Sequence, residues 1–435
     1  MPRTQGLDRQ IIAIAWPAIV SNITTPLLGL VDTAIAGHLA SASDLAAIAL
    51  GSTVFNLVYW LFGFLRMGTA GLTAQAFGSD DFHGQAVVLR RALFLSLLIA
   101  AGLIVLSPWI GDYALWILDA DDVVSPLASR YFSILIWGAP AMLATFSLNG
   151  WLIGMQNTKL PMTIAILTNI VNIAASATLV FVCGMKIEGI ALGTLISQWT
   201  AAVVCVLCVR KIYNPLHVPF KELVKGFGRM MSINTDIFLR TLCMVAVTAW
   251  FTRAGASQGV DVLAANALLM QLFLLFSYFS DGFAYAGEAL AGKLYGSGDV
   301  ASMRRLVVRL LKWGGIIALL FTIVYFFFGE WILMLLTDHK EVVDTAREYL
   351  PWAVGVPFCG SVAFIYDGIF VGLTLTRRML FSVAGGMIVF FSIYFSLRVS
   401  MGNHALWLSF LSYLVIRAII LHISLSQKNR HFSVR

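Results

Sequence analysis

Apolar residues fall along this chain in long unbroken runs, not in the alternation of a strand or the narrow stripe of a soluble helix. A helix needs about 20 consecutive apolar residues to cross a bilayer. Twelve such runs are visible, at roughly 10–34, 45–70, 87–109, 127–150, 160–182, 187–208, 230–253, 263–289, 308–335, 345–372, 379–400 and 404–425. The pattern predicts an all-α integral membrane protein with twelve transmembrane helices. Polar residues gather in short connections, the longest near 209–229 and 290–307, so no segment has the length of a soluble catalytic domain. Arg3 and Arg9 precede the first run, but it is too long for a cleaved signal and lacks a small-residue cleavage site; it reads as helix 1.

The runs come in two matching sets. An offset of 218 residues lays Leu45-Ala46-Ala47 on Leu263-Ala264-Ala265. The same offset lays Leu72, Gly78, Ser79 and Asp81 on Leu290, Gly296, Ser297 and Asp299. Further on, Tyr131, Phe146, Gly150, Gly154 and Thr158 fall on Tyr349, Phe364, Gly368, Gly372 and Thr376. Six helices per half is an even number, so both halves enter the membrane in the same sense. This is a parallel repeat, the build of many secondary transporters. The expected organisation is an N-terminal lobe over 1–212 with helices 1–6, a cytoplasmic linker over 213–229, and a C-terminal lobe over 230–435 with helices 7–12.

Composition agrees: 59% of the 435 residues are hydrophobic and 12% charged, against about 25% charged in a soluble domain. The net charge of +7 is not a nucleic-acid signal. Most of the 29 Lys and Arg fall in the two tails and in the loops after even-numbered helices. Basic loops stay cytoplasmic, which predicts a multi-pass protein of the inner or plasma membrane with both termini inside. Of the five cysteines, Cys205-x-x-Cys208 lies within helix 6 and reads as small packing residues, not as a redox or metal pair. No H-E-x-x-H or other catalytic motif occurs and the histidines are scattered, so neither an enzyme nor a metal site is expected.

Ionisable groups inside a membrane are functional candidates because burying them is costly. Asp32 has no cation near it in sequence, and Pro26 ahead of it removes a helical hydrogen bond and makes a candidate hinge. Pro17 does the same lower in the helix. Asn149, Asn169, Asn172 and Thr194 are further polar residues in the first half; amides can bond either form of a carboxyl or simply glue helices together. In the second half, Trp250 stands at the counterpart of Asp32. Asp236 and Arg240 share a face of helix 7 and are expected to form a structural ion pair. Asp281 and Glu288 in helix 8 and Asp367 in helix 10 are left with three readings: they attract a cationic substrate, bind a coupling cation, or neutralise Arg240 or Lys293.

Five segments carry a resemblance. They are Gly29-Leu-Val-Asp32-Thr-Ala-Ile-Ala-Gly-His38, Asn234-Thr-Asp-Ile-Phe-Leu-Arg240, Ala264-Ala-Asn266-Ala-Leu-Leu-Met270, Asp281-Gly-Phe-Ala-Tyr-Ala-Gly-Glu288 and Asp367-Gly-Ile-Phe-Val-Gly372. With the twelve helices, the chain resembles the multidrug and toxic compound extrusion (MATE) transporters, in their DinF-like branch. The resemblance implies two six-helix lobes, alternating access, and export of amphipathic, often cationic compounds against entry of protons or sodium. It implies a proton-coupling set of Asp32, Asn149, Asn172 and Thr194. Relatives often carry a second acid where this chain has Ser176, so the resemblance implies either proton coupling through Asp32 alone or a coupling that differs from theirs. A second-lobe cation site, as in a sibling branch, would draw on Asp367. Ser176, Asp281, Glu288 and Asp367 are thus the substrate-cavity or secondary cation candidates. The expected function is proton-coupled multidrug antiport, with sodium-coupled antiport or flipping of a lipid-linked precursor as alternatives. The only expected partners are small amphipathic substrates, the coupling ions and the bilayer; no cofactor, no nucleic acid and no second subunit is expected.

Overall fold

A computed structural model of the chain describes residues 6–37, 42–117, 121, 123–215 and 218–432, without the side chains of 25–34, 36, 37, 42, 112, 114, 116, 117, 220 and 428–432. Every regular element among the described residues is helical. The helices are α1 (Leu7–Gly37), α2 (Ala42–Leu61), α3 (Phe64–Gly78), α4 (Phe82–Ile117), α5 (Val124–Leu135), α6 (Ala139–Gly154), α7 (Lys159–Ala177), α8 (Ile187–Tyr213), α9 (Phe220–Val224), α10 (Phe227–Ala256), α11 (Val260–Gly296), α12 (Val300–Leu336), α13 (Lys340–Gly372), α14 (Thr376–Met401) and α15 (Asn403–Phe432). Among the described residues eleven segments are long and apolar enough to cross a membrane. The 31-residue α1 precedes them. The chain is an integral membrane protein whose spans divide six and six along the sequence.

Two spans are interrupted. A turn at Phe62 and Gly63 separates α2 from α3, where the sequence reads as one run. A 3-10 turn over Ile136–Gly138 separates α5 from α6. The helices also outrun the apolar stretches. The expected loop at 290–307 shrinks to Ser297–Asp299, because α11 continues to Gly296 and α12 starts at Val300. Apolar runs mark the lipid-facing part of a helix, and nothing in the polar flanks breaks the helical bonding until the left-handed Gly298 (φ 73°).

The repeat extends to backbone detail. Non-helical positive φ occurs at Asp80 and Gln156, and 218 residues later at Gly298 and Thr374. Asp81 accepts a hydrogen bond from Gly84 N (2.8 Å) and its counterpart Asp299 from Ser302 N (2.9 Å), each capping the helix that follows. Hydrogen bonding from the Ser302 side chain and then from its backbone N–H holds the Asp299 carboxyl below the usual carboxylate range. The cap is therefore intact at neutral pH, and its stabilisation is lost as pH falls from the usual carboxylate range through the lowered value. Gly150 packs on the carbonyl of Arg66, and Gly368 on that of Ala284, the same pair shifted by the repeat. At all four contacts made by Gly150, Gly154, Gly368 and Gly372 a Cβ would approach facing-helix backbone closer than 3.0 Å. Small residues let membrane helices approach this closely.

The chain forms two compact units, Val20–Met231 and Met1–Ile19 with Ser232–Arg435. The start of α1 thus groups with the later unit. There Asp8 accepts from Arg309 Nη1 (3.0 Å) and from Trp313 Nε1 (3.1 Å), and Gly282 packs against Ala15 and Ile19. The linker holds α9. Arg91 of α4 donates to the Glu222 (2.9 Å), Leu223 (3.0 Å) and Lys225 carbonyls, tying the linker to the Val20–Met231 unit. The later unit has an aromatic-rich core that includes Phe251, Phe276, Phe390, Trp407, Phe410 and Tyr413.

Candidate functional site

In the Val20–Met231 unit two of the expected site residues meet. Asn172 of α7 donates through Nδ2 to Thr194 Oγ1 of α8 at 3.0 Å. Asn172 is fully buried, and its Oδ1 has no hydrogen-bond partner among the described residues. One turn along α7, Ser176 is equally buried, with an unpartnered Oγ that faces Gly193, the residue before Thr194. Any side chain at 193 would occupy the space of that hydroxyl, so α7 and α8 are drawn together here. Asn149 of α6 also presents an unpartnered, buried Oδ1. Immediately after this polar stretch the backbone leaves α-helical register for a π-turn over Thr178–Val182, a departure often found at functional sites.

Asn169, flagged in the sequence only as a polar inclusion, has a defined role. Its Nδ2 donates to the Thr24 carbonyl of α1 at 2.7 Å. The amide therefore fixes α7 to the backbone of α1 two residues before Pro26. The side chains of Pro26 and Asp32 lie outside the described residues; the backbone there is part of α1. Thr194→Val would remove the Asn172 partner and leave a second buried amide atom unpaired. Interhelical hydrogen bonds in membranes contribute about 0.6 kcal/mol on average and up to about 1.7. The expected outcome is a loss of about 1 kcal/mol, measured by thermal unfolding in detergent.

The later unit holds a different chemistry. Arg240 of α10 and Arg417 of α15 both donate to the same oxygen of Asp367 on α13, Arg417 Nη2 at 2.6 Å. Arg240, Arg417 and Asp367 are 7%, 1% and 6% exposed. Arg417 Nη1 also reaches Tyr413 Oη at 3.4 Å, one turn earlier on α15. The ion pair expected between Asp236 and Arg240 is corrected by this arrangement. Asp236 instead accepts from Thr376 Oγ1 at 2.8 Å. A shared face of one helix permits a pair, but Arg240 points into the bundle, where a desolvated carboxylate binds a guanidinium more strongly than a half-exposed neighbour does. Of the three readings of Asp367, neutralising Arg240 is the one the structure realises. Both guanidiniums bond Asp367 Oδ2 in this arrangement. Glu288 of α11 is buried and Asp281 half-buried, both with polar contacts. No cluster of three or more His, Cys, Asp or Glu side chains that could hold a metal occurs among the described residues.

Arg417 was the residue the sequence reading passed over. Its signal was present: a lone arginine in the middle of an apolar span needs a partner inside the protein. Which partner depends on helix packing, and spacing along the chain does not encode it.

The sequence profile of the MatE family matches residues 17–178 and 236–396, one copy in each half. The chain is 38% identical to the DNA damage-inducible protein F of Escherichia coli over 419 residues, covering 95% of this chain and 91% of that one. The chain belongs to the MATE transporter family. Among its MATE relatives is a probable multidrug resistance protein NorM of Photorhabdus laumondii, 25% identical over 97% of this chain and 96% of that one. Another is the chloroplastic protein DETOXIFICATION 44 of Arabidopsis thaliana, 26% identical over 86% and 73%. The fold is that of solved MATE structures. One is a MATE protein in the bent conformation, with TM-score 0.88, 18% identity and coverage of 99% of this chain and 97% of that one. Another is a variant of the Vibrio cholerae MATE transporter VcmN, with TM-score 0.87, 18% identity and coverage of 98% and 97%. Within the MATE frame the two halves share helix crossings and turns but not polar chemistry. Asn149 and Asp367 are repeat counterparts, yet one is a neutral amide and the other is held by two guanidiniums.

Proposed function

We propose that this protein is a secondary active exporter of amphipathic, cationic organic compounds, coupled to proton entry through Asp32 in the first half. In this scheme Asp32 takes a proton from the outside, its bonds to Asn149 and Asn172 rearrange, and α1 bends near Pro26 to expel the substrate. Reorientation releases the proton inward, with both termini cytoplasmic. The observation that carries the reading is the buried group around Asn172, fixed by Thr194 and left with unpartnered acceptors on Asn172, Ser176 and Asn149. A carboxyl that gains a proton becomes a donor and can use such acceptors; a charged carboxylate cannot. The tether from Asn169 to Thr24 passes changes in this group to α1.

Proton coupling is favoured over sodium by two features. Ser176 leaves the group without a second acid to offset a bound metal cation, and Asp367 is taken up by Arg240 and Arg417. One charge moving through 100 mV supplies about 2.3 kcal/mol, enough for roughly 50-fold concentration of a neutral substrate per proton. The test is ethidium transport in proteoliposomes with the two gradients imposed separately. Transport should follow the pH gradient at equal sodium and vanish with the sodium gradient at equal pH. Transport driven by sodium alone, or flipping of a lipid-linked oligosaccharide without ethidium transport, would overturn the proposal.

A further inference from the structure

The buried cluster in the later unit puts two positive charges on one carboxylate oxygen. Both guanidiniums reach Asp367 Oδ2 through a single terminal nitrogen. The Nε–H of Arg240, the Nε–H of Arg417 and Asp367 Oδ1 have no hydrogen-bond partner among the described residues. Neither arginine is engaged side-on, the two-pronged geometry that matches guanidinium to carboxylate. An unmet buried donor is costly, and more so when it is charged. Of the other ionisable groups nearby along these helices, Asp236 is committed to Thr376, His422 to Tyr366 (2.7 Å), and Tyr413 to Arg417. Glu288 is buried on α11 with contacts of its own.

Apolar residues flank the cluster along each of its three helices. One turn from Arg240 is Met244, one turn from Asp367 is Phe364, and one turn from Arg417 is Leu414, all part of the aromatic core. Gly386 of α14 makes room for the Arg417 stem, since a Cβ there would stand 3.1 Å from its Cγ. Cationic heads at the edge of an aromatic and methionine-bearing core complement a molecule with an apolar body and an anionic end.

We propose that Arg240 and Arg417 form a receptor for an organic carboxylate, the anionic end of an amphipathic substrate, for which Asp367 is the built-in stand-in. In the state described, Asp367 holds both guanidiniums; an incoming carboxylate takes one of them and its free Nε–H, leaving each arginine with one anion. The cargo class of the exporter therefore includes amphipathic acids. This rests on the export reading only in treating the bound molecule as cargo.

The test is equilibrium binding to purified protein in detergent, at one pH and with no gradient. Failure of proton coupling in vesicles therefore leaves this result standing, and the reverse also holds. The probes are dansyl-labelled undecanoic acid and its methyl ester, which differ only in the charge. The acid is expected to bind about tenfold more tightly than the ester. Arg240→Gln should erase that preference, bringing the acid and the ester to equal affinity; it keeps a one-to-one Arg417–Asp367 pair, so the fold is not left with an unpaired charge. Arg417→Gln, which leaves Arg240 on Asp367, is the second variant. Equal binding of acid and ester to the natural protein, or an acid preference that survives both substitutions, would overturn the proposal.

Discussion

Asp367→Ala is expected to destabilise the later unit by about 3–5 kcal/mol, the cost of leaving buried charge without its partner. The loss should appear as a lowered unfolding temperature in detergent, with or without added sodium. Two guanidiniums, one of them 1% exposed, would be left in an apolar core with only the Tyr413 hydroxyl at hand. Removing the charges together is a different experiment. Replacing Arg240, Asp367 and Arg417 by apolar residues of similar volume should cost little, because a buried ionic group barely offsets its own desolvation. The contrast separates the two roles open to this acid. If Asp367 served a metal cation, its removal would leave the sodium-free protein as stable as before and abolish stabilisation by sodium. A loss under about 1 kcal/mol would contradict the ion cluster as described.

Gly368→Ala and Gly150→Ala should each cost about 1–3 kcal/mol, the range for overpacking a filled interior. The obstacle at Gly368 is the backbone of Ala284 and at Gly150 that of Arg66, and backbone cannot rotate aside. Because the two contacts are the same contact repeated, the two losses should agree to within about 0.5 kcal/mol. Gly315 is the control: nothing lies within 4 Å of a Cβ there, so Gly315→Ala in a helix interior should be neutral or stabilising by up to about 1 kcal/mol. Unequal losses at 150 and 368 would mean that the two halves cross their helices differently.

The bilayer explains how much of this was legible in the sequence. Each span must satisfy its backbone internally and present an apolar surface, so the helices stand out in the sequence. Duplication then shows in residues such as Gly150 and Gly368, whose absence of a side chain is forced by a close crossing. Helix ends were less visible, as at Gly296, because hydropathy reports lipid and not hydrogen bonding. The partners of polar residues were visible only in part. Asn172 and Thr194 came from the family resemblance and do meet. Asp236 and Arg240 came from spacing within one helix and do not pair, since the competing partner sits on α13. Asn169 was noticed as a polar inclusion and Arg417 was passed over, and the partners of both lie on helices whose proximity no local pattern encodes.

The central claim is that substrate and proton compete through one carboxyl in the first half. Proton release on binding ethidium, followed with a pH indicator in weakly buffered detergent solution, tests it most directly. The natural protein should release close to one proton per substrate bound, and Asp32→Asn should bind substrate and release none. Undiminished release from Asp32→Asn, or none from the natural protein, would contradict the account.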